Sequence, residues 1–169
     1  MGLNKAHVVI GTSVDTGEFV CDAIKDWWYK VGCNDYPKCK TIFLTSDSGG
    51  SNGYRNNIFK IELQKLADEL GIEIRISHYP PYTSKWNPIE HRVFPHITRA
   101  LEGVILTSHE QVKEIIERTT TTKGLTVTAS IIDKVYETGK KITEEVKDSI
   151  ELIKDKVLGH LNYSAYAPA

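Results

Sequence analysis

Three apolar runs of strand length, separated by segments whose apolar residues recur at helical spacing, constrain this chain more than any other feature. His7-Val8-Val9-Ile10-Gly11 and Thr41-Ile42-Phe43-Leu44-Thr45 are short and continuous, and Ile72-Glu73-Ile74-Arg75-Ile76 alternates as a strand does. After the first run, Asp15-Thr16-Gly17-Glu18 has the spacing of a capping box, with Asp15 at N-cap and Glu18 at N3. Val20, Ala23, Ile24, Trp27, Trp28 and Val31 then mark one helical face, and Gly32 suits the C′ position. A second helix is predicted from about Arg55 to Leu70, with Phe59, Leu63, Leu66, Ala67 and Leu70 on one face and Gly71 as its stop. Strand, helix, strand, helix, strand is the order of a parallel α/β sheet.

Beyond Pro80 and Pro81, Asn87-Pro88-Ile89-Glu90 predicts a third helix with Asn87 at N-cap and Pro88 at N1, kinked by Pro95. Ser108 caps a fourth, running to about Thr121, and Leu125 to Ala129 alternates as a strand. A turn at Glu137–Lys140 and a last helix over Thr143 to Leu158 complete the reading. Residues 1–121 are expected to be the α/β core and residues 122–169 a C-terminal hairpin-plus-helix appendage. Composition excludes several classes. The chain has 169 residues, 40% of them apolar, and a net charge of −1, so no global field draws it to nucleic acid or membrane. Any polyanion site must be local, and Arg75 to Arg99 holds four Lys/Arg and three His against one acid. No apolar run reaches the roughly 20 residues of a membrane helix, and Met1-Gly2-Leu3-Asn4 is no signal peptide. Three cysteines without a CxxC fit a reducing cytoplasm.

The chemistry concentrates between Asp47 and Glu90. In an open α/β sheet, functional groups gather where strand C-termini feed loops. Asp47 is at such an end, before Ser48-Gly49-Gly50-Ser51-Asn52-Gly53, a loop that matches neither a Walker A nor a GxGxxG pattern. Two carboxylates a few ångströms apart bind Mg²⁺ through oxygen, and a pair of such ions serves phosphodiester chemistry. Each residue also has a local role open to it. Asp47 could cap the loop through Asx-turn bonds, and Glu90 could bond back to the Asn87 N–H as the N3 residue of a capping box. His78, His91 and His96 with Cys33 and Cys39 fit no common zinc spacing and are expected as loop and surface residues.

"Asp-Ser-Gly-Gly-Ser-Asn-Gly-Tyr-Arg-Asn" from Asp47 to Asn56, with "His-Tyr-Pro-Pro-Tyr-Thr-Ser-Lys-Trp-Asn-Pro-Ile-Glu-His-Arg-Val-Phe" from His78 to Phe94, resembles an insertion-sequence DDE transposase of the Rhodopirellula-type transposase DDE domain. The resemblance extends back through Gly11 to Trp28 and forward through Thr119–Thr121 and Gly124-Leu125 to Asn162-Tyr163. It implies an RNase H-like (ribonuclease H-like) fold and DNA strand cleavage and transfer that depends on Mg²⁺, with Mn²⁺ as substitute. It implies that Asp47 is the second metal-binding carboxylate and Glu90 the third, with 42 residues between them. Ser51, Asn52, Arg55, Lys85, Trp86, Asn87, His91 and Arg92 are then expected on the DNA side, in the cytoplasm of a prokaryote.

The same resemblance implies strands ahead of Val8, including the one that carries the first metal-binding Asp, so the expectation is an RNase H-like core lacking its first strands. The Val8 strand is then expected either beside the Ile42 strand, which would bring Asp15 near Asp47, or on another chain, as a homodimer through its exposed edge. Three functions compete at this level. One is a fragment of a transposase catalytic domain, inactive alone for want of the first Asp. Another is a dimerisation or interaction module derived from a transposase, and the last is a metal-dependent nuclease that recruits Asp15 as substitute carboxylate.

Overall fold

The apolar runs become strands, but the sheets they enter are chosen by partners far away in sequence. A computed structural model describes residues 3–148 and 150–166. Its elements run β1 (Lys5–Gly11), α1 (Gly17–Trp27), a π-helical turn (Trp28–Gly32), α2 (Cys33–Asp35), β2 (Thr41–Ser46), α3 (Asn57–Leu70) and β3 (Glu73–His78). There follow a 3-10 turn (Ser84–Trp86), α4 (Ile89–Arg92), α5 (Phe94–Leu101), α6 (His109–Glu117), β4 (Thr126–Ile132), α7 (Glu144–Asp148), β5 (Ile153–Lys154) and β6 (Asn162–Ala165). The strands form a mixed sheet in the order β2-β3-β6-β5 and a separate pair β1-β4. Two compact units result, one from Met1–Val14 with Pro88–Val135 and one from Asp15–Asn87 with Tyr136–Ala169. Among the described residues, no helix is long and apolar enough to cross a membrane.

In the larger unit β2 and β3 are parallel, in register from Thr41 opposite Glu73 to Ser46 opposite His78. The intervening α3 lays Phe59, Leu63, Leu66 and Ala67 on the sheet, where they meet Cys21 of α1, Ile74 and Ile76 of β3, and Tyr163 and Ala165 of β6. Burying each large apolar side chain of this set contributes about 1.5–3 kcal/mol. Asn56 caps α3 by accepting from the Phe59 N–H at 3.2 Å, and Gly71 ends it in the left-handed region at φ 64°. At the crossing of α1 and α3, Gly17 is required. A Cβ there would stand 2.6 Å from the Phe59 backbone nitrogen.

Several local expectations are corrected in this unit. The N-cap of α1 is Thr16, whose hydroxyl accepts from the Phe19 N–H at 3.2 Å. Asp15 is one residue too early, and its carboxylate accepts instead from the Ser51 hydroxyl at 2.7 Å. Gly32 does not end the helix, because its backbone stays right-handed at φ −60°. Its reason is packing, since a Cβ would meet the Trp28 ring at 2.6 Å. The long final helix expected over Thr143 to Leu158 is only α7, with Ser149 outside the described residues. Ile153 and Lys154 turn into a strand against β6, which itself pairs antiparallel with β3. Of the apolar side chains in this segment, Leu152 packs against the core of the unit, whereas Ile153, Val157 and Leu158 are exposed.

In the other unit β1 pairs parallel with β4, Lys5 opposite Thr126 through Gly11 opposite Ile132. The Val8 strand therefore pairs within the chain, against a strand about 120 residues later, rather than with the Ile42 strand. Matching apolar faces select this pairing. Ala6, Val8 and Ile10 join Leu125, Val127 and Ala129, and Val112, Ile116, Ile97 and Leu101 from α6 and α5 cover them. Residues 122–169, expected as an appendage, supply β4 here and β5 and β6 to the other sheet. Ser108 caps α6 as expected, accepting from the Gln111 N–H. The expected kink near Pro95 is a full break at Val93 (φ −125°, ψ −60°), with Pro95 in the first turn of α5, where its missing N–H costs nothing.

Candidate functional site

Because β2 and β3 are parallel, their carboxyl ends open on one edge, and Asp47 follows β2 there. The chain leaving β3 is tied to the same edge, since the Tyr79 N–H donates to the Ser46 carbonyl at 2.7 Å and the Ser48 hydroxyl donates to the Tyr79 carbonyl. Asn52 donates to the Ser46 hydroxyl at 2.5 Å and Asn56 to the Ser51 carbonyl at 2.6 Å, so the glycine-rich loop folds back on itself. Gly50 takes a left-handed φ of 76° and Gly53 leaves no room for a side chain, 2.7 Å from the Ser48 carbonyl, whereas Gly49 faces open space. Loop geometry thus accounts for two of these glycines. Gly49, which is exposed, lines a cleft of about 680 Å³ together with Asp47, Arg55, Tyr79, Pro81 and Tyr82.

The Asp47 carboxylate does not cap the loop. It is half-buried and accepts from the Asn87 side-chain amide at 3.3 Å. At the third helix the expected N-cap shifts by one residue: α4 starts at Ile89 with Pro88 at N-cap, which offers no side-chain cap, and Glu90 falls in its first turn. Glu90, His91 and Arg92 lie on α4 in the unit that holds β1 and β4, with Glu90 half-buried and the other two exposed. Asp15, Asp47, Ser51, Asn52, Arg55, Lys85, Trp86 and Asn87 belong to the larger unit. Within it Asp15 meets Ser51, Asp47 meets Asn87, and Arg55 shares the Asp47 cleft while stacking over the Tyr54 ring at 5.1 Å. Lys85 and Trp86 are exposed on the 3-10 turn.

A buried pair behind Asp47 went unrecognised in the sequence, where His78 was expected on a loop or surface. His78 is 3% exposed. Its Nδ1 lies 3.0 Å from the Asp47 carbonyl oxygen and its Nε2 2.8 Å from the Tyr163 hydroxyl, itself buried. A carbonyl only accepts, so Nδ1 carries the proton and Nε2 accepts from Tyr163. Burial, the largest influence, holds the imidazole below its ordinary proton affinity, with the positive Lys60 acting the same way and the bond to Asp47 opposing them. Burial likewise pushes the Tyr163 phenol up, so it remains a donor. The result is a neutral, fully engaged ring that fixes the backbone of Asp47. One signal could have found it: extending the β3 alternation by one step puts His78 on the inward face with Ile74 and Ile76.

A strand-end carboxylate beside a backbone-exposing loop, in an α/β unit with its strand ends open, is the usual ligand position of open sheets. The chain belongs to the Rhodopirellula transposase DDE domain family, whose sequence profile matches residues 1–167. No curated protein and no solved structure matches it. The family is one of transposition, its DDE domains generally use divalent metals, and a transposase domain implies interaction with DNA. Among the described residues, no group of three or more His, Cys, Asp or Glu side chains forms a ready metal cluster.

Proposed function

We propose that this chain supplies two metal-binding carboxylates, Asp47 and Glu90, to the DNA strand cleavage and joining of a DDE transposase. The family match over nearly the whole chain carries this reading, and the strand-end position of Asp47 beside the exposed backbone of Gly49 supports it. An RNase H-like core is part of the proposal, supported by the parallel β2 and β3 with α3 between them.

The donor at Asp47 fits a hard cation. Asp47 offers a carboxylate, while the neighbouring imidazole has both nitrogens committed and the hydroxyls of Ser46, Ser48 and Ser51 are engaged with Asn52, the Tyr79 carbonyl and Asp15. Carboxylate oxygens suit Mg²⁺ or Mn²⁺ rather than zinc. Bound divalent ions activate an attacking water or hydroxyl and stabilise the leaving oxygen of a phosphodiester. The protein's own part is positional. His78 anchors the Asp47 backbone, Asn87 orients its carboxylate, and Ser51, Asn52, Arg55, Lys85, Trp86, Asn87, His91 and Arg92 face the nucleic acid. Two carboxylates hold such ions poorly, so the chain by itself is inactive in this reading.

One observation favours a second reading. Asp15 bonds Ser51, on the loop that follows Asp47, and a nuclease could recruit it as a third carboxylate. Mn²⁺ titration, followed by the ion's electron paramagnetic resonance signal, tests the assignment. Asp47→Asn and Glu90→Gln should each weaken Mn²⁺ binding, and unchanged binding in both would remove these residues from the metal site. Nicking of supercoiled plasmid that is lost in Asp15→Asn as well as in these variants would establish the second reading instead.

A further inference from the structure

The larger unit has another cleft, of about 440 Å³, which shares Tyr54 and Arg55 with the Asp47 cleft. Its walls carry Arg55, Lys60, Lys147, Lys154 and the imidazole of His160, and none of its described lining residues is acidic. In a chain of net charge −1 this is segregation of charge, not a general excess. Lys147 is neutralised by Glu144 at 2.5 Å. Lys60 and Lys154 have no carboxylate partner among the described residues.

Their positions run against local rules. Lys60 lies at the end of the first turn of α3, the positive end of the helix dipole, where a cation is disfavoured. Its ammonium is half-buried over the Tyr163 ring, 5.6 Å from the centroid. Burial and then the charge of Lys154 hold its proton affinity below the ordinary ammonium range. The first turn of α3, two ammonium groups without a carboxylate partner among the described residues and the Arg55 guanidinium thus line one cavity, an arrangement of like charge that suits an anion.

We propose that this cleft is a phosphate-binding subsite, with Lys60 and Lys154 as its principal contacts, that holds the backbone of the DNA strand engaged at the Asp47 cleft. The proposal rests on the reading of the Asp47 cleft as the site of DNA chemistry, because Arg55 lines both clefts and would bridge successive phosphates. The strand-side residues named from the sequence motifs include Arg55 but none of the other cations here.

Binding of a short fluorescein-labelled single-stranded DNA, measured by anisotropy without divalent metal across a salt series, tests it. The full chain is compared with Lys60→Gln, Lys154→Gln and the exposed control Lys65→Gln, with circular dichroism confirming that each is folded. Lys60→Gln and Lys154→Gln should each weaken binding several-fold and lower the salt slope by about 0.7, the value for one phosphate contact on a single strand. Lys65→Gln should change neither. Equal affinity and equal slope in all four proteins would overturn the proposal. So would loss of pyrophosphate binding, read by calorimetry, in the two cleft variants while their DNA binding stays intact, since the cleft would then take a free phosphate compound. The metal assignment is read from Mn²⁺ binding in Asp47→Asn and Glu90→Gln, and this inference from metal-free DNA binding in the two lysine variants, so the two fail separately.

Discussion

Replacing Tyr163 by Phe removes one oxygen and tests the support behind Asp47. Tyr163 and His78 are each 3% exposed, with the hydroxyl 2.8 Å from Nε2, so water cannot replace the lost donor without opening the core. A buried acceptor left without its partner costs about 1–3 kcal/mol. The aromatic ring keeps its contacts with Phe59, Leu63 and Ile76 in the same cluster, so no cavity penalty is added. Taking about 2 kcal/mol, and about 2–4 °C per kcal/mol for a chain of this length, the thermal midpoint should fall by about 4–8 °C. Scanning calorimetry at neutral pH measures this directly. The single variant His78→Phe should cost at least as much, because it leaves both the Tyr163 hydroxyl and the Asp47 carbonyl unpaired. A midpoint for Tyr163→Phe within about 1 °C of the native protein would refute the reasoning, since the bond would then contribute nothing.

Two further outcomes follow from the same unit. His78 binds a proton less readily when folded than at its ordinary value of 6.5, so the unfolded chain takes up more protons as pH falls. Stability from this group is complete above about pH 6.5 and declines as pH is lowered from there; urea midpoints should show that decline in the native protein and a flatter profile in His78→Gln, and identical profiles would contradict the burial argument. Gly17→Ala should destabilise by about 1–3 kcal/mol in urea unfolding, because its Cβ would collide with the backbone of α3. Gly49→Ala, whose Cβ meets nothing within 4 Å, should be near neutral, and equal costs at the two positions would undo the packing account.

The candidate site was legible where chemistry is written in contiguous residues. Asp47 at the end of an apolar run, the glycine-rich loop and the Pro-rich passage to Asn87 all announce a strand end and its ligand loop. What their side chains do there was not legible. Asn87 has the spacing of an N-cap, yet Pro88 holds that position and the Asn87 amide reaches Asp47, and Asp15 has the same signature, yet Thr16 caps the helix. Capping patterns name residue types that accept hydrogen bonds from free N–H groups, and a one-residue shift leaves the pattern almost as good. His78 was misread because a lone histidine after a strand is as compatible with solvent as with the core. Only Tyr163, 85 residues later, makes its burial affordable.

By itself the sequence determined the strands β1 to β4, the core face of α3, the Ser108 cap of α6, the stop at Gly71, a disturbance of the third helix near Pro95 and the family. Each follows from spacing within a dozen residues, from backbone chemistry that only glycine or proline supplies, or from long contiguous motifs. Tertiary structure alone decided that β1 pairs with β4, that the tail completes the sheet as β5 and β6, and that unpaired lysines line one cleft. Those outcomes depend on which apolar faces and charges meet across 80 to 120 residues of chain, and local spacing carries no information about such meetings.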